Sequence, residues 1–100
     1  MRIITEKRLW DAVGQHPRLR SPVDHWIAIA RAATWKHFPD VRCTFLHADQ
    51  VTVASGRTTT VFNLGSYRAI TAIHYNHRKI FILTVLPHDE YEEGRWKERL

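Results

Sequence analysis

The second half of the chain carries short hydrophobic runs that are separated by turn residues. Three of these runs are rich in Thr, Val, Ile, Phe and Tyr, which favour half-buried strands. They are Thr59–Leu64, Tyr67–Tyr75 and Lys79–Leu86. Turn residues stand between them at Gly65-Ser66 and Asn76-His77. The pattern therefore predicts an antiparallel meander of two hairpins, and it predicts one further strand before them at Gln50–Ala54.

The first half of the chain has its hydrophobic residues at helical spacing instead. Leu9, Trp10 and Val13 mark one face of a predicted first helix. Thr5 is its predicted N-cap, because a side-chain oxygen at that position satisfies an exposed backbone N–H group. The apolar segment Met1–Thr5 is predicted to pair as an edge strand.

A second helix is predicted to begin at Ser21, with Pro22 at its first position. Its apolar face has residues at spacings of three and four: Val23, Trp26, Ile27, Ala30 and Ala33. Trp26 lies on this stripe and is therefore interpreted as a core residue. The helix is predicted to end at Phe38-Pro39-Asp40, and Val41–Phe45 is predicted to form one further turn.

The C-terminal segment reads as a single helix after the last strand. Pro87 stops the strand, and Asp89–Arg99 is the predicted helix. Gly94 lies inside it and lowers its helix propensity. Because no repeat or linker divides the 100 residues, we expect one domain over residues 1–100.

Composition adds an expectation about partners. Lys and Arg number 15 against 10 for Asp and Glu, which gives a formal net charge of +5 and favours an anionic partner. No stretch has the apolar length of a signal peptide or a membrane span, so we expect a cytoplasmic protein. Cys43 is the only cysteine, which excludes an intrachain disulfide and disfavours a thiolate metal site.

Polar residues recur where a purely structural sheet does not need them. Arg68 and His74 lie on the middle strand of the meander, and His88 and Tyr91 lie just beyond its last strand. A basic sheet face of this kind suggests a surface that meets phosphates. Structural roles stay open: Arg68 as a solvated residue, His88 as a helix cap and Tyr91 as a half-buried anchor.

Short segments along nearly the whole chain form one further pattern: MRIIT-x-KRL, the Trp35 region, Asp40-Val41-Arg42, Ala48-Asp49, Gly56-Arg57, Val61-Phe62-Asn63, Tyr67-Arg68, Phe81-Ile82, Val85-Leu86 and His88-x-Glu90-Tyr91. In their order and spacing these segments resemble the HigB-type toxins of the RelE superfamily, the toxic halves of type II toxin–antitoxin pairs. The resemblance implies a RelE-like α+β fold. Its mostly antiparallel sheet would have about four strands, two N-terminal helices packed on one face, and a short C-terminal helix.

The resemblance also implies an endoribonuclease that cleaves messenger RNA, often on the ribosome, and needs no metal or other cofactor. In such enzymes the RNA's own 2′-hydroxyl attacks the adjacent phosphate. The products are a 2′,3′-cyclic phosphate and a free 5′-hydroxyl. The expected protein partner is a helix-turn-helix antitoxin of the HigA-like kind, and no membrane partner is expected.

Three residues are expected to carry this chemistry. Arg68 would clamp the phosphate, because a guanidinium binds phosphate in a bidentate manner and stays cationic. His88 would act as acid or base, since imidazole ordinarily titrates near neutrality. Tyr91, one helical turn after it, would position a phosphate or stack on a base. Four further residues are expected to bind the RNA: Arg57, His74, Arg78 and Lys79.

Departures from the family pattern leave alternatives open. Leu83 stands where relatives commonly carry an Arg, which leaves Arg78 or Lys79 to compensate. Pro87 and Glu92 stand where relatives usually have Thr and Asp. One alternative is therefore a degenerate relative that binds RNA or the ribosome without cutting. A second is a metal site formed by three histidines: His74, His77 and His88.

Overall fold

Five strands form one mixed sheet in the computed structural model, which describes residues 1–100. In chain order the strands are β1 Arg2–Ile4, β2 Asp49–Thr52, β3 Thr58–Leu64, β4 Tyr67–His74 and β5 Lys79–Pro87. Their order in the sheet is β1-β5-β4-β3-β2. Pairing from β2 to β5 is antiparallel throughout, which confirms the meander. The predicted edge strand also exists, and it is a fifth strand parallel to β5.

Five α-helices complete the α+β fold, and its class is confirmed. They are α1 Lys7–Gln15, α2 Arg20–Ala32, α3 Phe38–Thr44, α4 His88–Glu93 and α5 Trp96–Arg99. Two short 3₁₀ turns precede α2 and β5, at Pro17–Leu19 and Tyr75–His77. None of the helices is long and apolar enough to cross a membrane.

The predicted helix starts are corrected. Thr5 has a φ of 63°, and the first helix is preceded by Glu6 with no side-chain cap. The second helix does not begin at a capping Ser21. It begins one residue earlier at Arg20, because the 3₁₀ turn at Pro17–Leu19 runs directly into it and already orients its first backbone groups.

The segment Phe38-Pro39-Asp40 begins a helix, so the prediction that it ends one is wrong. The second helix has already ended at Ala32. Proline suits the first turn of a helix, where its missing N–H group costs no hydrogen bond. The backbone N–H of Lys36 donates to Asp40 Oδ2 at 2.9 Å, a bond that lowers the pKa of Asp40. The further turn predicted at Val41–Phe45 is the body of α3.

The prediction of a single C-terminal helix at Asp89–Arg99 is also wrong. Gly94 adopts the left-handed conformation, with a φ of 79°, and divides the segment into α4 and α5. A residue without a Cβ adopts this conformation at low cost, and helices commonly end there. The break turns Trp96 back toward the sheet, where it is buried.

The two faces of the sheet are covered unequally. On one face, α1 and α2 bury Leu9, Val23 and Trp26 against strand residues that include Phe62 and Ile80. Trp26 is thus a core residue, as predicted. The other face carries a smaller cluster: Val53, Val61, Ile70, Leu86 and Trp96. Because only α4 and α5 reach this second face, much of it stays open, and we call it the open face.

A bulge interrupts the pairing of β4 with β5. Ile70 lies opposite Thr84 and Thr71 lies opposite Ile82, so Leu83 has no partner on β4. β1 covers the outer edge of β5 only as far as Phe81. Beyond it, the Arg8 guanidinium on α1 donates to the carbonyls of Ile82, at 3.1 Å, and Leu83. Arg8 therefore satisfies strand carbonyls that no strand reaches.

We expect Arg8→Ala to lower the free energy of unfolding by about 1 kcal/mol, because these carbonyls lose their donor but can still reach water. Denaturant unfolding of the two proteins measures the change. Lys7→Ala is the control, since Lys7 makes only an exposed 4.0 Å ion pair with Asp11. Equal midpoints for the Arg8 and Lys7 variants would contradict this role.

Candidate functional site

Arg68 and His88 meet at one end of the open face. Arg68 is the second residue of β4 and lies opposite Leu86 on β5. Two residues after Leu86 the chain enters α4 at His88. The backbone N–H of His88 donates to the carbonyl of Ser66 at 2.9 Å. This bond fixes the start of α4 against the β3–β4 turn. As a result Arg68 Nη2 lies 3.1 Å from His88 Nδ1.

The turn that precedes Arg68 also orients its guanidinium. Nη1 donates to the carbonyls of Gly65, at 3.3 Å, and Tyr67, at 3.0 Å. Gly65 has a φ of 60°, which bends the turn so tightly that its carbonyl comes within reach of the third residue after it. The guanidinium is therefore held by backbone atoms on one side and presents its remaining N–H donors to solvent.

The contact with Arg68 favours one tautomer of the His88 ring. A guanidinium has donors only, so Nδ1 must accept, and a neutral ring carries its proton on Nε2. Nε2 lies 3.8 Å from Glu92 Oε1, one turn further along α4. Both side chains are about half exposed, at 48% and 63%. The imidazole thus lies between a cation and a carboxylate, at a position that a solvent-borne substrate can reach.

Tyr91 lies beside this pair and is half-buried. Its ring stacks on Trp96, with centroids 5.4 Å apart and an angle of 18° between the planes. Burial raises the pKa of the Tyr91 hydroxyl, and the charges of Asp49 and Glu92 raise it further against the opposing charge of Arg68. The hydroxyl therefore stays protonated at neutral pH and can donate a hydrogen bond.

We expect Tyr91 to ionise above the ordinary value of about 10, because burial and nearby carboxylates disfavour the phenolate. Since the folded protein favours the neutral phenol, stability falls as the pH rises past that ordinary value. The measurement is an alkaline titration of tyrosinate absorbance in the native protein and in Tyr91→Phe. A missing component that ionises at or below 10 would refute the prediction.

The four residues predicted to bind RNA lie away from this pair. His74 ends β4, Lys79 begins β5 opposite it, and Arg78 occupies the left-handed turn between them. His74 is six positions after Arg68 on β4, a distance of about 20 Å. Arg57 precedes β3 at the same end of the sheet. The open face thus has a basic group at each end.

The proposed histidine metal site is wrong. His88 lies at the Arg68 end of the sheet, and His74 and His77 lie at the opposite end, so the three cannot bind one ion. Nowhere in the chain do three His, Cys, Asp or Glu side chains come together as a metal site.

Leu83, the departure from the family pattern, lies between the two ends of the open face. Its side chain packs against the smaller cluster and lines a shallow hollow of about 250 Å³ with Arg57, Ala72, His74 and Phe81. Arg57 is the permanent cation that lines this hollow beside Leu83. Neither Arg78 nor Lys79 lines the hollow, so the expectation that one of them compensates for the missing Arg is not met there. Sequence reasoning missed this pairing, because Arg57 and Leu83 are distant in the chain.

Sequence reasoning also gave Glu92 no role. The structure places it next to His88, and a signal was present, since residues four apart on a helix lie on the same side.

Comparison with protein families matches residues 19–94 to HigB toxin, described as a RelE-like toxic component of a toxin–antitoxin system. The matched segment runs from the start of α2 to the end of α4, so it includes Arg68, His88 and Tyr91. A search among curated proteins finds no match. Because the family match spans most of the 100 residues, the chain belongs to the HigB toxin family of RelE-like toxic components of toxin–antitoxin systems.

Proposed function

We propose that this toxin is a metal-independent endoribonuclease that cleaves messenger RNA on the ribosome and thereby inhibits translation. The observation that carries the proposal is the 3.1 Å contact between Arg68 Nη2 and His88 Nδ1 on an exposed surface. A permanent cation next to an imidazole provides the two groups that attack at phosphorus requires, a charge clamp and a proton acceptor.

The substrate would engage Arg68 first. A phosphate oxygen is a stronger acceptor for a guanidinium than a neutral ring nitrogen, so the bound phosphate would draw Arg68 away from His88. The backbone carbonyls of Gly65 and Tyr67 keep the guanidinium on the sheet during this exchange. Nδ1 of His88 then becomes free to accept a proton.

In the chemical step the 2′-hydroxyl passes its proton to His88 Nδ1 and its oxygen attacks the adjacent phosphorus. Glu92, close to Nε2, favours the imidazolium that forms. Arg68 neutralises charge on the non-bridging oxygens, and the protonated Tyr91 hydroxyl donates to a phosphate oxygen. The bond to the 5′-oxygen breaks, that oxygen takes a proton from water, and a 2′,3′-cyclic phosphate remains.

The partners follow from the family and the charge. Toxin–antitoxin membership implies an antitoxin, and we propose a helix-turn-helix protein of the HigA-like kind. The net charge of +5 suits an RNA substrate. The site of action would be the cytoplasm, where ribosomes translate messenger RNA.

The products test this mechanism. Purified toxin is incubated with ribosomes that carry a short messenger RNA, with and without a chelator of divalent ions added after assembly. We expect fragments that end in 2′,3′-cyclic phosphate, at the same single-turnover rate in both samples. Fragments with 3′-hydroxyl ends would refute attack by the 2′-hydroxyl, and loss of cleavage at chelator levels that leave the ribosomes intact would refute independence from metals.

A second function is favoured by one observation. Leu83 packs against an apolar cluster, so the position where relatives commonly carry an Arg holds no cation. A protein of this kind could bind RNA or the ribosome without cleaving. In the same assay it would inhibit translation and leave every messenger RNA intact, which separates the two functions.

A further inference from the structure

We propose that the hollow lined by Arg57, Ala72, His74, Phe81 and Leu83 is a subsite that binds one unstacked nucleobase of the RNA strand. The inference rests on the proposed function, since it assigns a further contact to the same RNA. The inference adds a contact to a base, whereas Arg68, His88 and Tyr91 are proposed to act at the phosphate. We call this feature the base hollow.

The base hollow lies in line with the Arg68–His88 pair. Ala72 is four residues after Arg68 on β4, so both side chains are on the open face about 13 Å apart. Ala72 lies opposite Phe81 on β5, and Leu83, two residues after Phe81, is on the same face because side chains alternate along a strand. An RNA strand whose phosphate is bound by Arg68 and which continues along β4 therefore passes over the hollow.

The chemistry of the base hollow fits a nucleobase. Its floor is apolar, with the Phe81 ring 4.8 Å from the His74 ring at an angle of 55°. Protein surfaces bind unstacked bases on aromatic and apolar side chains of this kind, because every base has an apolar face. The hollow's volume of about 250 Å³ is below the range of about 300–1,000 Å³ that is usual for drug-sized ligands, as expected for a site that takes one ring system.

The surrounding charges favour an RNA strand over a protein segment. Arg57 lines the hollow itself, and Arg78 and Lys79 lie at the same end of the sheet. No carboxylate lines the hollow. Arg57 can donate to a base edge or to the neighbouring phosphate, and the flanking cations suit the backbone on either side.

The test uses binding, which does not depend on cleavage. The probes are short RNAs whose 2′-hydroxyls are methylated, so that attack is blocked, and each RNA lacks one base at a different position. With the native protein, we expect one abasic position to weaken binding by about tenfold or more. In Leu83→Asp, which places a charge in the hollow, binding of the complete RNA falls by a similar factor and that abasic position loses its effect.

Two further variants distinguish loss of the hollow from misfolding of the protein. Arg57→Ala removes a rim residue that lies outside the apolar clusters and should reduce the same abasic effect in part. Leu46→Asp is the matched control, because Leu46 is 69% exposed and lies outside the hollow. Thermal unfolding of each variant shows that the fold is retained.

The outcomes separate this inference from the proposed function. An abasic effect that persists unchanged in both hollow variants overturns the base hollow. Unchanged RNA binding in Leu83→Asp, combined with lost binding of the antitoxin encoded beside the toxin, would assign the hollow to the protein partner and also overturn it. A native protein that shows the hollow's abasic effect but never cleaves unblocked RNA refutes the nuclease and leaves the hollow standing.

Discussion

Replacement of Arg68 by Ala is expected to slow single-turnover RNA cleavage by about 10²- to 10³-fold. The guanidinium is the one permanent cation in contact with His88, and it is held there by the carbonyls of Gly65 and Tyr67. Without it, the charge that develops on the phosphate oxygens has no fixed counter-charge. Cleavage of ribosome-bound messenger RNA at saturating toxin measures this effect on the chemical step.

Arg68→Lys separates charge from geometry. A lysine ammonium cannot contact the turn carbonyls and also bind a phosphate in a bidentate manner, so this variant should recover only part of the lost rate. Arg20→Ala is the matched control, because Arg20 is an exposed arginine on α2, with a 3.8 Å ion pair to Asp24. A native rate in Arg68→Ala would remove Arg68 from the mechanism.

Replacement of His88 by Ala is the second large effect, with an expected loss of about 10²- to 10⁴-fold in the same rate. The imidazole is the only group in contact with Arg68 that can accept a proton from the 2′-hydroxyl. Its backbone N–H, not its side chain, joins α4 to the β3–β4 turn through Ser66. The variant should therefore keep its fold and its affinity for RNA while it loses cleavage.

The control for His88 is His25→Ala, which removes an exposed histidine on α2. A His88→Ala protein that cleaves at the rate of the His25 variant would show that another group, or water alone, takes the proton. Equal losses of RNA affinity and of cleavage in His88→Ala would instead indicate a binding role for the imidazole.

The elements that depend on neighbouring residues could be predicted from the sequence, and those that depend on distant pairing could not. The meander was predictable because Gly65-Ser66 and the alternating strands around it are local signals. The parallel pairing of β1 with β5 joins distant parts of the chain, such as Arg2 and Lys79, so the partner of β1 could not be predicted from local sequence. The prediction that Phe38-Pro39-Asp40 ends a helix was wrong because proline is common both just after helices and in their first turn.

The same division applies to the site. Arg68 and His88 were predictable as candidates because residue type and family pattern both pointed to them. Their contact depends on how the end of β5 turns over the β3–β4 turn, which no local pattern specifies. The base hollow depends on the register of β4 with β5, which places Ala72 opposite Phe81 and which no local pattern specifies.

The measurement that tests the central proposal most directly is induced expression in bacteria, with growth and transcript 5′ ends followed together. The native toxin, Arg68→Ala and His88→Ala are compared at equal protein levels. A ribonuclease toxin predicts growth arrest with new 5′ ends in translated messenger RNA, and loss of both in the two variants. Arrest that persists in both variants while the transcripts stay intact would contradict it and indicate a protein that blocks translation by binding.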